Sequence, residues 1–181
     1  MSHIRQVLVT IETGDATDAD ANGPVYLGLG AREFRLDKEG DQFKRATTDT
    51  FLLGNGTLGT PDVLNPNEND PATPVRIEHE DIENNPYSVY IAYESDKKWL
   101  IRRAQVRAIA PADFDRKFVI SSGITAPGVW LGDKYGKRLY FIWLKFSSFI
   151  FSHFSYLLII SWIEKTQKLL IIFSLQTILI R

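Results

Sequence analysis

Three aspartates, Asp15, Asp18 and Asp20, fall within six residues of one another. Carboxylates at this density are the raw material of a calcium loop, because the ion takes about six to eight oxygens, several of them from Asp or Glu. The same stretch, Asp15 to Pro24, is also what a long turn requires, since Asp, Asn and Gly close turns through their own side chains or positive φ. A second pair, Arg45 and Asp49, stands four residues apart in a segment that reads as extended on either side. A surface salt bridge between them would contribute at most about 1 kcal/mol. His79 lies among Glu78, Glu80 and Asp81. A hydrolase would need a nucleophile and an oxyanion site beside it, and a metal centre a second histidine or a defined acidic cluster. Neither is visible, so His79 is expected to be a hydrogen-bonded histidine at the edge of the core. The chain has no cysteine, which excludes disulfides, zinc–thiolate sites and thiol nucleophiles.

The elements that must position these residues are strands. Val7, Val9 and Ile11 alternate with polar residues up to Thr13-Gly14, and Val25, Leu27 and Leu29 repeat the pattern after the acidic turn. Period-two alternation of this kind marks half-buried strands. Arg32 to Leu36 continues as a hairpin with Phe34 and Leu36 inward. Pro74 to Glu80 is expected to be a strand with Val75, Ile77 and His79 on one face, and Val89, Ile91 and Tyr93 form another. Trp99 to Ile109 reads as a long strand whose phase slips at Arg102-Arg103, the mark of a β-bulge. Residues 54–74, with three glycines and four prolines and no sustained period, are a long surface excursion. Lys117 to Ser122 and Val129 to Leu131 are two further short strands around a turn at Ile124 to Gly128.

The 181 residues suffice for one domain with appendages. A formal net charge of −1 with no basic tract leaves no electrostatic footprint for nucleic acid. That charge averages two unlike pieces. Every glycine and proline lies before Arg138, whereas residues 139–181 are 27 of 43 hydrophobic and hold one acid against four bases. The sequence therefore divides into a sandwich at 1–110, a hairpin extension at 111–138 and a hydrophobic tail at 139–181. From Phe146 to Ile163 there are 18 residues without a formal charge, near the lower limit for a membrane-crossing helix. The tail reads as a membrane anchor, as a partner-binding helix, or as AT-rich DNA translated outside its proper frame, since residues with G-initial codons all but vanish from it. No secretion signal is expected at Met1 to Arg5, because the stretch has neither an apolar run nor a small-residue cleavage site before the strand alternation begins at Val7. A cytoplasmic or membrane-associated location is expected.

Five pieces in order carry a family resemblance: Thr13-Gly14-Asp15 closing a strand, Val25-Tyr26-Leu27 opening the next, Phe43-Lys44-Arg45 with Asp49 and Phe51, Val75-Arg76-Ile77-Glu78-His79, and Trp99-Leu100 ahead of Gln105 to Ile109. Over roughly residues 5–110 this resembles the PLAT (lipoxygenase-homology) domain family. The resemblance implies an all-β antiparallel sandwich and a non-catalytic module whose loops meet a lipid headgroup surface or a partner protein, with Asp15, Asp18, Asp20, Arg45, Asp49 and Trp99 at the binding end. It further implies calcium ligands after the first strand, beside the Phe of the Phe-x-Arg segment, and directly before the closing Trp. These positions correspond to Asp18 and Asp20, Asp41, and Asp96, the last displaced because Lys98 precedes Trp99. Gln42 and Lys44 flank Phe43, and the two lysines oppose a divalent cation. Calcium binding is expected to be weak or absent, and no other cofactor is implied. Oligomeric state is left open. The different-class alternative is a membrane-anchored structural or scaffolding protein held by the hydrophobic tail.

Overall fold

A computed structural model describes residues 3–85, 87–111, 114–121 and 128–141. Within them the chain is all-β, with two antiparallel sheets packed face to face. The first sheet contains β1 (Gln6–Thr13), β4 (Thr48–Leu53), β6 (Trp99–Ala110), β7 (Phe114–Ser121) and β8 (Val129–Leu131). Its order is β4-β1-β6-β7, with β8 pairing the first residues of β6. The second contains β2 (Val25–Leu29), β3 (Arg32–Arg35), β5 (Val89–Tyr93) and β9 (Arg138–Tyr140), in the order β3-β2-β5-β9. One short helix, α1 (His79–Glu83), precedes β5.

Alternation dictates the core. Val7, Val9, Ile11, Val25, Leu27, Phe34, Phe51, Ile77, Ile91, Trp99 and Val106 are all 2% exposed or less, as period two places them on the two inner faces. The phase slip in β6 is a bulge. Glu12 of β1 pairs with Arg103 but Thr13 pairs with Ile101, so Arg102 is the extra residue and the inward series passes from Ile101 to Ala104.

The strand expected over Pro74 to Glu80 is not formed. Val75 is 64% exposed instead of sharing the core, and only Ile77 is inserted, its carbonyl accepting the amide of Ile4 at 2.8 Å. Glu78 then caps α1. Its own N–H donates to Asp81 Oδ2 at 3.1 Å, the reciprocal arrangement of a capping box, and His79 becomes the first helical residue.

Residues 54–74 run over the surface as expected but are stitched to the sandwich. The buried Gln6 donates from Nε2 to the Gly59 carbonyl (2.9 Å) and accepts the Leu58 amide at Oε1 (2.9 Å). Asn69 accepts the Arg35 amide (2.9 Å) and donates to the Leu64 carbonyl (2.9 Å), and Val63 is buried beneath.

The domain edge placed after Arg138 moves. β9 straddles it, pairing Arg138 with Ala92, Leu139 with Ile91 and Tyr140 with Tyr90. Phe141 is 1% exposed in the core. The chain's contacts divide between Trp143 and Leu144. β7, β8 and β9 are therefore parts of the two sheets, and the turn expected at Ile124 to Gly128 and the tail from residue 142 lie outside the described residues.

Candidate functional site at the loop end

Four loops meet at the end of the sandwich where β1 stops: 14–24, 36–47, 94–98 and 132–137. Beneath them is an aromatic floor. The Trp99 ring lies 5.1 Å edge-on from Phe43 and 5.5 Å from Tyr93, and Phe43 stacks on Phe51 at 5.3 Å. Trp99 Nε1 donates to Thr13 Oγ1 at 3.2 Å, a buried bond that satisfies both polar atoms. Trp99 thus supports the site from below and is not part of its surface.

The acidic loop is fastened to this floor by its backbone. Leu100 donates to the Ala19 carbonyl (3.1 Å), Ala21 to the Phe43 carbonyl (3.1 Å) and Asn22 to the Tyr93 hydroxyl (3.0 Å). Asp18 takes a left-handed conformation, φ +59, which an aspartate tolerates better than a β-branched residue would.

Asp15, Asp18, Asp20 and Arg45 come together here. Arg45 Nε donates to Asp15 Oδ1 at 2.6 Å, and the Arg45 main-chain N–H donates to Asp20 Oδ1. Lys98 Nζ lies 3.6 Å from Asp18 Oδ2 and 4.6 Å above the Trp130 ring. The surface salt bridge between Arg45 and Asp49 that their spacing allowed is not formed. Phe43 and Ala46 both take positive φ (+54 and +58), and the chain doubles back between them. Asp49, 8% exposed, instead accepts the Phe43 amide at 2.8 Å. It holds a bulky residue in an unfavourable conformation and so builds the loop.

Among the described residues no three His, Asp or Glu side chains gather as a metal site. The carboxylates of the acidic loop already face a guanidinium and an ammonium, a poor shell for a divalent cation. Asp41 and Asp96 sit on separate loops. Asp96 lines a depression of about 230 Å³ with Lys97, Lys98, Asp133, Lys134 and Tyr135.

The contribution of the 132–137 loop lay beyond the stretch that carries the family resemblance. It brings Tyr135, 56% exposed, to 6.2 Å from Trp130, and Lys137 to 2.9 Å from Asp133 and 3.6 Å from Glu94. A Trp followed within nine residues by Tyr, Gly and three Lys or Arg was the available signal.

At the far end of the sandwich, a cavity of about 410 Å³ is lined by Arg32, Ile77, Glu80, Asp81 and Asn84, among others. Arg32 is committed to structure, donating to the carbonyls of Asp70 (2.8 Å) and Val75 (2.9 Å), and desolvation pulls its pKa down. His79 belongs to this end, its Nδ1 3.1 Å from Glu80 Oε2.

No family model matches the chain and no curated protein matches it. Similar solved structures include a LOX variant (TM-score 0.43, 14% identity, 76% of this chain and 16% of that one). An alpha toxin from Clostridium absonum is also similar (TM-score 0.44, 19% identity, 78% of this chain and 32% of that one), as is a LOX in complex with arachidonate (TM-score 0.41, 14% identity, 76% and 16%). The chain spans about a sixth of the LOX structures and about a third of the toxin. The class that the strand pairing itself defines is an antiparallel β-sandwich with a four-loop, charge-paired end.

Proposed function

We propose that this chain is a non-catalytic, PLAT-like binding module that meets a lipid membrane surface with its loop end. The observation that carries the reading is the cluster of Trp130 and Tyr135 beside Lys97, Lys98 and Lys134, with the Lys98 ammonium over the Trp130 ring. Trp and Tyr rings favour the headgroup layer of a bilayer, where one edge is apolar and the other wet. Lysines beside them extend their stems along apolar surface and keep the ammonium in the polar layer. The backbone ties of the acidic loop favour a preformed surface, which lowers the ordering cost of binding.

The experiment is flotation of the full chain with phosphatidylcholine vesicles, with and without phosphatidylserine, beside the Trp130→Ala/Tyr135→Ala double variant and a chain ending at Trp143. Binding that survives the truncation and is lost in the double variant supports the loop end. Binding that disappears with the truncation alone transfers the function to the tail and makes the chain a tail-anchored scaffold. A protein partner is indicated if neither vesicle is bound.

In this reading calcium is not the bridge. Calorimetric titration of the full chain should give an affinity of about millimolar or weaker. A micromolar affinity abolished by Asp18→Ala or Asp20→Ala would overturn it.

A further inference from the structure

The outer face of the four-stranded sheet carries a group of side chains that neither the core nor the loop end uses. Register places Glu33, Gly28, Tyr90 and Tyr140 in one row across β3, β2, β5 and β9. Gly28 is a cradle, since a Cβ there would stand 2.2 Å from the Tyr90 ring, so the ring lies directly on the Gly28 backbone. Its hydroxyl donates to Glu33 Oε1 at 2.7 Å. Arg138 reaches the same oxygen at 3.4 Å and sets its guanidinium 5.4 Å from the Tyr90 ring centre. Next in the row, the Tyr140 ring is 5.4 Å from Tyr90 and tilted by 54°, and Tyr87 stands perpendicular to Tyr140 at 6.1 Å. Tyr87 and Tyr140 are 69% and 45% exposed, a concentration of aromatic surface that isolated exposed residues do not make.

The polar balance of this face narrows what it fits. Glu33 is committed to Tyr90 and Arg138, and its charge cancels that of Arg138, so the patch selects neither a polyanion nor a cation. What is left for a ligand is the Tyr87 and Tyr140 hydroxyls, each able to donate and to accept, and the remaining N–H donors of Arg138, next to apolar ring faces. A neutral ligand with an apolar C–H face and a rim of hydroxyl acceptors matches both halves, and that is a pyranose ring. The perpendicular and tilted rings favour a single twisted chain over a flat crystalline surface, which would need coplanar rings. We propose that this face binds a neutral glycan chain, with Tyr87 and Tyr140 stacking on sugar rings and Arg138, held by Glu33 and Tyr90, donating to sugar oxygens. The site is separate from the loop end and does not depend on the membrane reading.

Affinity electrophoresis of the full chain through gels containing hydroxyethylcellulose, glucomannan, xyloglucan or soluble starch tests it. At least one of these should retard the protein, and Tyr87→Ala or Tyr140→Ala should weaken that retardation by about tenfold. Tyr140→Phe, which keeps the ring, should retain most of the binding, and Trp130→Ala should leave it unchanged. Thermal melting of each variant at the parent temperature checks that the sheet is intact. Four unretarded migrations, or retardation undiminished in both alanine variants, would each overturn the proposal.

Discussion

Lys98 serves two neighbours, an aspartate at 3.6 Å and an indole at 4.6 Å, and both contacts face water. Its pair with Asp18 has side chains 38% and 73% exposed, so Asp18→Ala should change stability by less than about 1 kcal/mol in denaturant unfolding. Thr13 is the opposite case. Thr13→Val keeps the shape but removes the acceptor of the buried Trp99 N–H, which should cost about 1–3 kcal/mol by the same measurement. Tyr90 offers a pH signature. Burial, and then the hydrogen bond to Glu33, raise its phenol to about 12, so the folded state favours the neutral form. The associated stability is complete below pH about 10, the unfolded value, and is lost as pH rises through about 12. Phenolate absorbance should show Tyr90 titrating late in the folded protein, and Glu33→Gln should move that step earlier. At this scale the sequence was legible where a residue's role is set by its own strand, as for Val9 and Leu27, and it misplaced Trp99, which is buried beneath the binding end. It misled where a turn intervened: Arg45 and Asp49 are four apart along the chain, but positive φ at Phe43 and Ala46 sends Arg45 to Asp15 and Asp20.

Among the elements, those legible from period two were the strands with one buried face, and the bulge showed itself as a break in phase at Arg102-Arg103. α1 was missed because Val75, Ile77 and His79 happen to alternate, while the capping relation of Glu78 and Asp81 outweighs that alternation once Pro71 and Ile4 have fixed Ile77. A Val75→Asp substitution should accordingly shift the melting temperature by no more than a degree or two, since the side chain is 64% exposed. β9 was hidden by composition. Leu139, Tyr140 and Phe141 open the hydrophobic tail and look like part of it, yet they complete the second sheet. Phe141→Ala should cost about 3–5 kcal/mol, as for other fully buried aromatic residues. A cost near zero in urea unfolding would detach β9 from the core.

Among the described residues the largest unit of structure is the sandwich, and its first strand is enclosed. Thr10 of β1 faces Thr50 of β4 on one side and Gln105 of β6 on the other, so the centre of the first sheet joins residues from opposite halves of the domain. A chain ending at Trp143 should therefore melt with the full chain, and one ending at Arg138 should melt lower, because the latter lacks Leu139 to Phe141. The enclosed strand also sets a timetable. A ribosome adds about 5–20 residues per second, and the 54–74 excursion and β5 must both be made between β4 and β6. For several seconds of each synthesis β1 has its first partner but not its second, and one flank of the growing sheet is an open template for another chain. Folded yield then depends on how quickly residues 54–110 are translated and on how crowded the nascent chains are, before any ligand has met the finished protein.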